Sequence, residues 1–330
     1  MILIISDKND ITIYKVTYFL RQLGIPYALF NVADYPLKIK HTSKWIDSSP
    51  SLILETSEGQ IDSSDITAVW YRKPDLPKIP SKLNPYEKEY VYNETRESLH
   101  GIYNHLQHAF WMSPLQNIKF ASNKPLQLSI AHSLGLKIPK TIITNNVDEA
   151  WDFYTHCKFN VIYKTLSTGV LTTRQGPWDQ PKVHGEIYST LLKGFQRSDF
   201  KKVEACPCLF QEYIDKKFEL RITVVKESVF AAEIHSQEND ETKHDWRQNQ
   251  SVDIPYKIHK LPKSIEKKCI ELTKKLGLNY GAIDMIVSPE NEYVFLEINP
   301  NGQYAWIESK TELEISKSIA YTLADYDAAR

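Results

Sequence analysis

Two apolar runs near the C-terminus of the chain each carry an acidic residue in their interior. Gly281–Val287 contains Asp284, and Tyr293–Pro300 contains Glu297 followed two positions later by Asn299. The short polar segment between the runs predicts a hairpin turn, so the two runs are expected to pair as neighbouring strands. Because side chains alternate along a strand, Glu297 and Asn299 share one face, and the paired strand can bring Asp284 beside them.

This acidic triplet predicts a metal site. An unpaired buried carboxylate costs several kcal/mol, and a second one nearby adds to that cost. A divalent cation removes the cost, and the oxygens of Asp284, Glu297 and Asn299 are the kind that Mg²⁺ takes together with nucleotide phosphates. The structural alternative is that Glu297 pairs with an arginine and Asp284 lies at a strand end.

The charge and apolar content of the chain exclude several classes of protein. Its 330 residues hold 40 Lys and Arg against 41 Asp and Glu, without the basic surplus that duplex nucleic acid requires. No apolar run approaches the roughly 20 residues of a membrane span, and none resembles a signal segment. We therefore expect a cytoplasmic protein with neither a nucleic-acid nor a membrane partner. The cysteines form no disulfide framework and are expected to be reduced: Cys157, Cys206, Cys208 and Cys269.

The first 115 residues form the first predicted domain. A strand at Ile2–Ile5, a helix at Ile11–Leu23 and a strand at Tyr27–Asn31 follow one another, and this β-α-β order predicts a parallel sheet. A long helix capped by Asn84 should follow, since apolar residues recur at helical spacing from Leu99 to Phe110, and Ser113-Pro114 should end it.

Two further domains are predicted, at 116–200 and 201–330. The first opens with a helix over Asn123–Leu134, and its residues 165–181 are expected to form a flexible loop. The second is rich in strands, with helices near 263–276 and 311–325. The whole chain is therefore expected to be of the α/β (α+β) class.

A second group of candidate residues precedes the acidic triplet. In a strand-to-linker segment Glu212 can face an adenine amino group, while the backbone of Tyr213 and Ile214 supplies a matching donor and acceptor. On the next strand Glu219 and Arg221 share one face, where the acid suits ribose hydroxyls and the guanidinium suits a phosphate or acyl phosphate. The alternative is an edge strand with solvated charges.

Two lysines and one arginine complete the candidate site. Lys124 begins a helix and Lys164 ends an apolar strand, so either amine can reach phosphate oxygens, although a single lysine is usually a surface residue. Arg247 could offset the charge of a γ-phosphate in the transition state, and Asn249 could add an oxygen ligand or a substrate contact.

The order of these residues resembles the ATP-grasp superfamily throughout residues 120–305. A closer similarity is to the ligases that mature microviridins and related graspetides, including the subgroup encoded beside radical SPASM proteins. The segments that carry it are Met1–Asp7, Trp70–Pro74, Asn123–Gln127, Asp245–Arg247 and Phe295–Tyr304.

The resemblance implies an ATP-grasp fold preceded by a Rossmann-like pre-ATP-grasp domain. It implies that ATP and Mg²⁺ are bound between the second and third domains, with Arg221 and Arg247 holding an acyl phosphate. The partner would be a ribosomally made precursor peptide, whose Asp or Glu side chains are phosphorylated and then form esters or amides. A homodimer is also implied. The resemblance leaves open whether Arg72 structures a domain interface or reaches substrate. It also leaves open whether His235 contacts substrate, assists proton removal from the attacking hydroxyl, or is an ordinary strand-end residue.

Two rival functions stay open at this point. One is an ATP-grasp ligase that adds an amino acid to a peptide or protein end. The other is a nucleotide-binding regulatory module without turnover. The intact set of acids and cations argues against the second, because a module that only binds nucleotide does not need the groups that transfer a phosphoryl group.

Overall fold

A computed structural model describes residues 1–46, 49–174, 176–238 and 254–328. The predicted residues Arg247 and Asn249, together with the rest of 239–253, lie outside the described residues.

The first part of the chain builds a four-stranded parallel sheet with the order β2-β1-β6-β7. A smaller antiparallel sheet, β3-β4-β5, packs beside it. The elements are β1 (Ile2–Ile5), α1 (Ile11–Gln22), β2 (Tyr27–Phe30), β3 (Lys40–Lys44), β4 (Ser51–Thr56), β5 (Gly59–Asp62), β6 (Ala68–Tyr71), α2 (Pro85–His105), β7 (Phe110–Trp111) and α3 (Leu115–Ala121).

The predicted β-α-β unit and its parallel sheet are confirmed. The predicted long helix begins correctly, because Asn84 and Glu87 form a reciprocal capping box. Its predicted end is wrong, since α2 stops at His105 and Phe110 lies in β7 instead. The Phe110 amide donates to the Thr67 carbonyl at 2.9 Å, so sheet pairing overrides the helical spacing of the apolar residues.

The second part builds an antiparallel sheet with the order β12-β9-β13-β8. Its elements are α4 (Lys124–Ser133), β8 (Thr141–Thr144), α5 (Val147–His156), β9 (Val161–Lys164), β10 (Val170–Thr173), β11 (Lys182–Glu186), β12 (Thr190–Leu192) and β13 (Cys208–Glu212). The expectation of a loop throughout 165–181 is wrong at 170–173, where β10 pairs with β11 in a separate hairpin.

The third part is a five-stranded antiparallel sheet, β16-β15-β14-β17-β18. Its elements are β14 (Phe218–Val225), β15 (Ser228–Ile234), β16 (Tyr256–Ile258), α6 (Lys263–Lys275), β17 (Tyr280–Val287), β18 (Tyr293–Asn299), α7 (Ala305–Thr311) and α8 (Ile315–Ala328). Helices α4 and α6 cover one face, while residues of β14, β15 and β17 share a core with β1, α1, β6 and α8. The first and third parts of the chain are therefore packed together.

The cysteines are all free thiols, as expected. Within the described ranges, no helix is long and apolar enough to cross a membrane.

Candidate active site

A cleft of about 740 Å³ lies between the sheet β12-β9-β13-β8, called the second sheet below, and the sheet β16-β15-β14-β17-β18, called the third sheet. The residues predicted to bind the nucleotide or the metal, from these two sheets, their linker and α4, line this cleft. These are Lys124, Lys164, Glu212, Tyr213, Ile214, Glu219, Asp284, Glu297 and Asn299. Residues separated by up to 175 positions in the chain are thus brought to one site.

The acidic residues meet through the register of β17 and β18. Asp284 is directly opposite Glu297, and Ala282 is opposite Asn299, so the three predicted ligands lie along one edge of the cleft. The side chains of Asp284 and Glu297 are 25% and 27% exposed, which leaves oxygens facing the cleft. Asn299 is exposed as well. This arrangement agrees with the predicted hairpin and with the prediction that Glu297 and Asn299 lie on the same face of one strand.

A β-bulge precedes Glu297 on β18. Asp284 pairs with Glu297 whereas Met285 pairs with Phe295, so Leu296 is an extra residue on β18. A bulge of this kind turns two successive side chains toward the same side of a sheet. Leu296 therefore joins Glu297 in the lining of the cleft, although simple alternation would have placed it in the core.

Each acid is held by a cation of its own. Arg221 donates from one terminal nitrogen to both oxygens of Asp284, at 2.8 and 3.0 Å. The amine of Lys124 lies 3.2 Å from Glu297 and donates to the Thr165 carbonyl at 2.9 Å. The sequence had left open that an arginine pairs with Glu297. An arginine does pair with one of the two acids, but that acid is Asp284, and Glu297 pairs with a lysine instead.

Arg221 lies beneath the cleft and is only 7% exposed. Burial by itself would lower the pKa of Arg221, but the charge and hydrogen bonds of Asp284 outweigh that effect and raise it above its ordinary value. Its other terminal nitrogen donates to the Gln303 carbonyl at 2.9 Å. These contacts direct Arg221 toward Asp284 and the segment after β18.

The linker between the second and third sheets runs along the cleft. Glu212 approaches Lys140 at 3.5 Å, and its side chain is 30% exposed. The Tyr213 amide donates to the Asn160 carbonyl at 2.9 Å. The Tyr213 amide is therefore already used within the protein, and the Tyr213 backbone can offer adenine only its carbonyl acceptor. A donor from this linker would have to come from Ile214.

Glu219 is also part of a network. It forms an ion pair with Lys216, whose side chain is almost fully buried, and it accepts a hydrogen bond from Ser236 at 3.1 Å. Glu219 lines the cleft, and so does Lys216 beside it, a residue that was not predicted from the sequence. The signal that could have found Lys216 is its spacing of three residues from Glu219.

Comparisons with known proteins agree with this geometry. The MvdD pre-ATP grasp domain family matches residues 1–119, and the RimK-like ATP-grasp domain family matches residues 121–323. The chain belongs to the RimK-like ATP-grasp family. It is an ATP-grasp ligase with a mixed α/β fold, and its ATP-grasp domain follows a pre-ATP-grasp domain, as the resemblance implied.

Solved structures of similar ATP-grasp proteins span nearly the whole chain. A RiPP-associated ATP-grasp ligase from Chryseobacterium gregarium, in complex with ADP and a leader and core peptide, is 34% identical with a TM-score of 0.88, covering 98% of this chain and 96% of that one. The macrocyclase MdnC from Microcystis aeruginosa MRC, bound with precursor peptide MdnA, is 31% identical with a TM-score of 0.83, covering 98% and 99%. The macrocyclase MdnB from the same source is 29% identical with a TM-score of 0.78, covering 98% of each chain. No curated protein sequence matches the chain.

The ATP-grasp cleft also has an apolar part that the sequence analysis did not identify. Ile162, Ile286 and Leu296 line it, from strands of both sheets. Next to them Gln211 is 2% exposed and donates to Thr141 at 3.0 Å, while no described donor reaches its buried side-chain oxygen. Ile286 could have been predicted from the sequence, because it lies two residues after Asp284 and so on the same face of the strand. The positions of Ile162 and Gln211 in the cleft depend on the pairing of the strands, which the sequence does not show.

His235 lies away from the ATP-grasp cleft. It hydrogen-bonds to Glu233 at 2.8 Å and packs against the ring of Phe218, which belongs to the core beneath α4 and α6. These contacts favour the ordinary strand-end role over a substrate contact.

Proposed function

We propose that this ATP-grasp ligase phosphorylates Asp or Glu side chains of a ribosomally made precursor peptide and closes ester or amide rings, which is graspetide maturation. The observation that carries the proposal is the cleft itself. Its apolar residues and Glu212 suit a nucleotide base, and its other edge gathers Asp284, Glu297, Asn299 and two lysines, which suit a triphosphate. Support also comes from the two similar ligases above 30% identity, both solved with peptides bound.

Asp284, Glu297 and Asn299, which form the acidic edge of the cleft, fit a magnesium ion. Within the described residues no group of three His, Cys, Asp or Glu side chains could hold a metal. Magnesium does not need such a group, since it is commonly bound by one or two carboxylates together with substrate phosphates. Asp284 and Glu297 provide two directly opposed carboxylates, and Asn299 provides an amide oxygen. When bound there, the ion supplies charge neutralisation for phosphoryl transfer.

The remaining residues are assigned by their contacts. Lys124 and Lys164 would bind phosphate oxygens, because both amines belong to residues that line the cleft near the acids. Glu219 would bind the ribose hydroxyls. We assign Arg221 to holding Asp284 rather than the acyl phosphate, since it is buried and already bonded to Asp284. Arg247 stays assigned to the acyl phosphate, from the resemblance.

The proposed reaction has two steps. A substrate carboxylate oxygen attacks the γ-phosphorus of ATP, and the bond to the β-phosphate oxygen breaks to release ADP. A hydroxyl or amine of the same peptide then attacks the acyl carbon, loses its proton, and displaces inorganic phosphate. Such chemistry depends on positioning and charge neutralisation, so the chain needs no nucleophile of its own.

The surrounding assignments are part of the same proposal. We propose a cytoplasmic homodimer with domains at 1–115, 116–200 and 201–330. Strand β13, at the beginning of the third segment, is paired with β8 and β9 and so completes the second sheet.

The test uses purified protein, ATP, Mg²⁺ and a candidate precursor peptide that carries both leader and core. We expect release of ADP and phosphate, and a mass decrease of one water per ring formed. A mass increase equal to one amino acid would instead show a ligase that extends a peptide or protein end. Binding of ATP without turnover of any peptide tested would support a regulatory module.

The base pocket gives a separate prediction. Glu212→Ala should raise the Kd of ATP about tenfold or more and leave the Kd of the peptide nearly unchanged. The reason is that the adenine amino group would be buried without its hydrogen-bond acceptor, which costs about 1–3 kcal/mol. Isothermal titration calorimetry with each ligand measures both constants. Lys140→Ala is the matched control, since it removes only the cation that contacts Glu212. Equal losses for ATP and peptide would remove Glu212 from the pocket.

A further inference from the structure

Arg72 is a buried residue of the pre-ATP-grasp part whose contacts reach the ATP-grasp part. It follows β6 and is 1% exposed. Its terminal nitrogens donate to the Asn301 carbonyl at 2.9 Å, to the Gly302 carbonyl at 3.2 Å and to the Gln303 side chain at 2.7 Å. The Asn301 side-chain amide in turn donates to the Arg72 carbonyl. The side chain is therefore enclosed by the protein itself.

The segment 299–303 is also held by residues of the ATP-grasp sheet. The Arg221 guanidinium donates to the Gln303 carbonyl at 2.9 Å, and the Tyr280 hydroxyl donates to the Gly302 carbonyl at 2.7 Å. The space around Gly302 is closed, because a Cβ atom there would lie 2.6 Å from Ala282 and 2.8 Å from Arg221. Two arginines from different parts of the chain therefore hold one short segment between them.

This segment is directly joined to the acidic edge of the cleft. It begins at Asn299, whose side-chain oxygen accepts from the Asn301 amide at 3.1 Å. Arg221, which is bonded to Gln303 at the end of the segment, is also the hydrogen-bond partner of Asp284. A change in the position of 301–303 would therefore move a ligand at each end of the candidate magnesium site.

The charge of Arg72 is balanced within the pre-ATP-grasp part. Its Nε nitrogen lies 3.5 Å from Asp10 and donates to Thr12 at 3.2 Å. Asp10 is also the N-cap of α1, where its other oxygen accepts from the Thr12 amide at 2.9 Å. The guanidinium is thus fixed by α1 on one edge and reaches 301–303 with the other. Arginine can make all these contacts at once because its guanidinium group is planar and carries several N–H donors.

We propose that Arg72 is a positioning residue through which the pre-ATP-grasp part sets the geometry of Asp284 and Asn299 for binding the magnesium–nucleotide complex. The proposal rests on the magnesium assignment made under the proposed function. It gives Arg72 a role in metal affinity that an interface residue of purely structural importance would not have.

The test compares nucleotide binding with and without the metal. In Arg72→Lys, the Kd of ADP measured in Mg²⁺ should rise about tenfold, while the Kd of ADP measured in EDTA should change less than about twofold, because residues that orient ligands typically affect metal affinity by 10–100-fold. Calorimetry gives both constants without peptide turnover. Arg96→Lys on the exposed face of α2 is the matched control and should change neither.

A second variant covers the case in which Arg72→Lys does not fold. Gln303→Ala removes one acceptor of Arg72 and leaves the backbone bond to Arg221 in place. It should raise the Kd in Mg²⁺ in the same direction by a smaller factor. Parallel changes in Mg²⁺ and in EDTA, or no change in either, in the folded variants would overturn the proposal. Failure of the wild-type protein to bind ADP with Mg²⁺ would contradict the proposed function itself.

Discussion

Glu297→Gln should lower the rate of ring formation by at least about a hundredfold while the protein remains folded, because an amide is a far weaker magnesium ligand than a carboxylate. The substitution keeps the shape of the side chain and does not touch the backbone pairing of β18 with β17. The cation opposite it, Lys124, is bonded to the Thr165 carbonyl as well, so it retains a partner. Turnover measured as ADP release and as peptide mass gives the rate, and thermal unfolding gives the folded state.

A matched control lies on the same hairpin. Glu292 sits just before β18 and forms an exposed ion pair with Lys137, outside the cleft. Glu292→Gln should leave turnover unchanged and should alter stability by about 1 kcal/mol or less, the usual contribution of a surface pair. Turnover of Glu297→Gln equal to that of this control would refute the assignment of Glu297 to the metal.

Asp284→Ala should abolish ring formation and also destabilise the protein by about 3–5 kcal/mol, because it leaves the buried charge of Arg221 without its acidic partner. Glu297→Gln leaves no buried charge without a carboxylate in this way, so the two substitutions at one edge of the cleft are expected to differ in their effect on folding. Urea unfolding followed by circular dichroism measures the free energy of unfolding of each variant.

Asp284→Asn separates the two effects. The amide keeps an oxygen that can accept a hydrogen bond from Arg221, so this variant should be more stable than Asp284→Ala and yet as inactive. A double variant, Asp284→Ala with Arg221→Met, removes the charge and should recover part of the lost stability without recovering activity. Wild-type stability of Asp284→Ala would show that Arg221 does not depend on Asp284.

The elements closest to the candidate site followed from local patterns. Alternation along the chain placed Glu297 and Asn299 on one face, and the polar turn placed Asp284 on the neighbouring strand; the register of β17 and β18 has this arrangement. Likewise Asn123 caps α4, so that Lys124 begins the helix at the edge of the cleft. These features depend on residues near one another in sequence, which is why the sequence predicted them.

Other features depended on distant partners. Phe110 continued a helical pattern but lies in β7, because the strand β6 offered it a backbone partner. The segment 165–181 contained few apolar residues, yet part of it pairs with β11. In each case a hydrogen-bonding partner remote in sequence decided the conformation.

By itself the sequence determined the α/β class, the order of charged residues and the two acidic strands, since periodicity and turn chemistry are local properties. Only the tertiary structure decided which charges meet. It paired Arg221 with Asp284, turned Leu296 into the cleft through a bulge, and enclosed Arg72 against 301–303. The physical reason is that the partner of a buried charge is set by the packing of separate sheets, and no spacing along one strand encodes it.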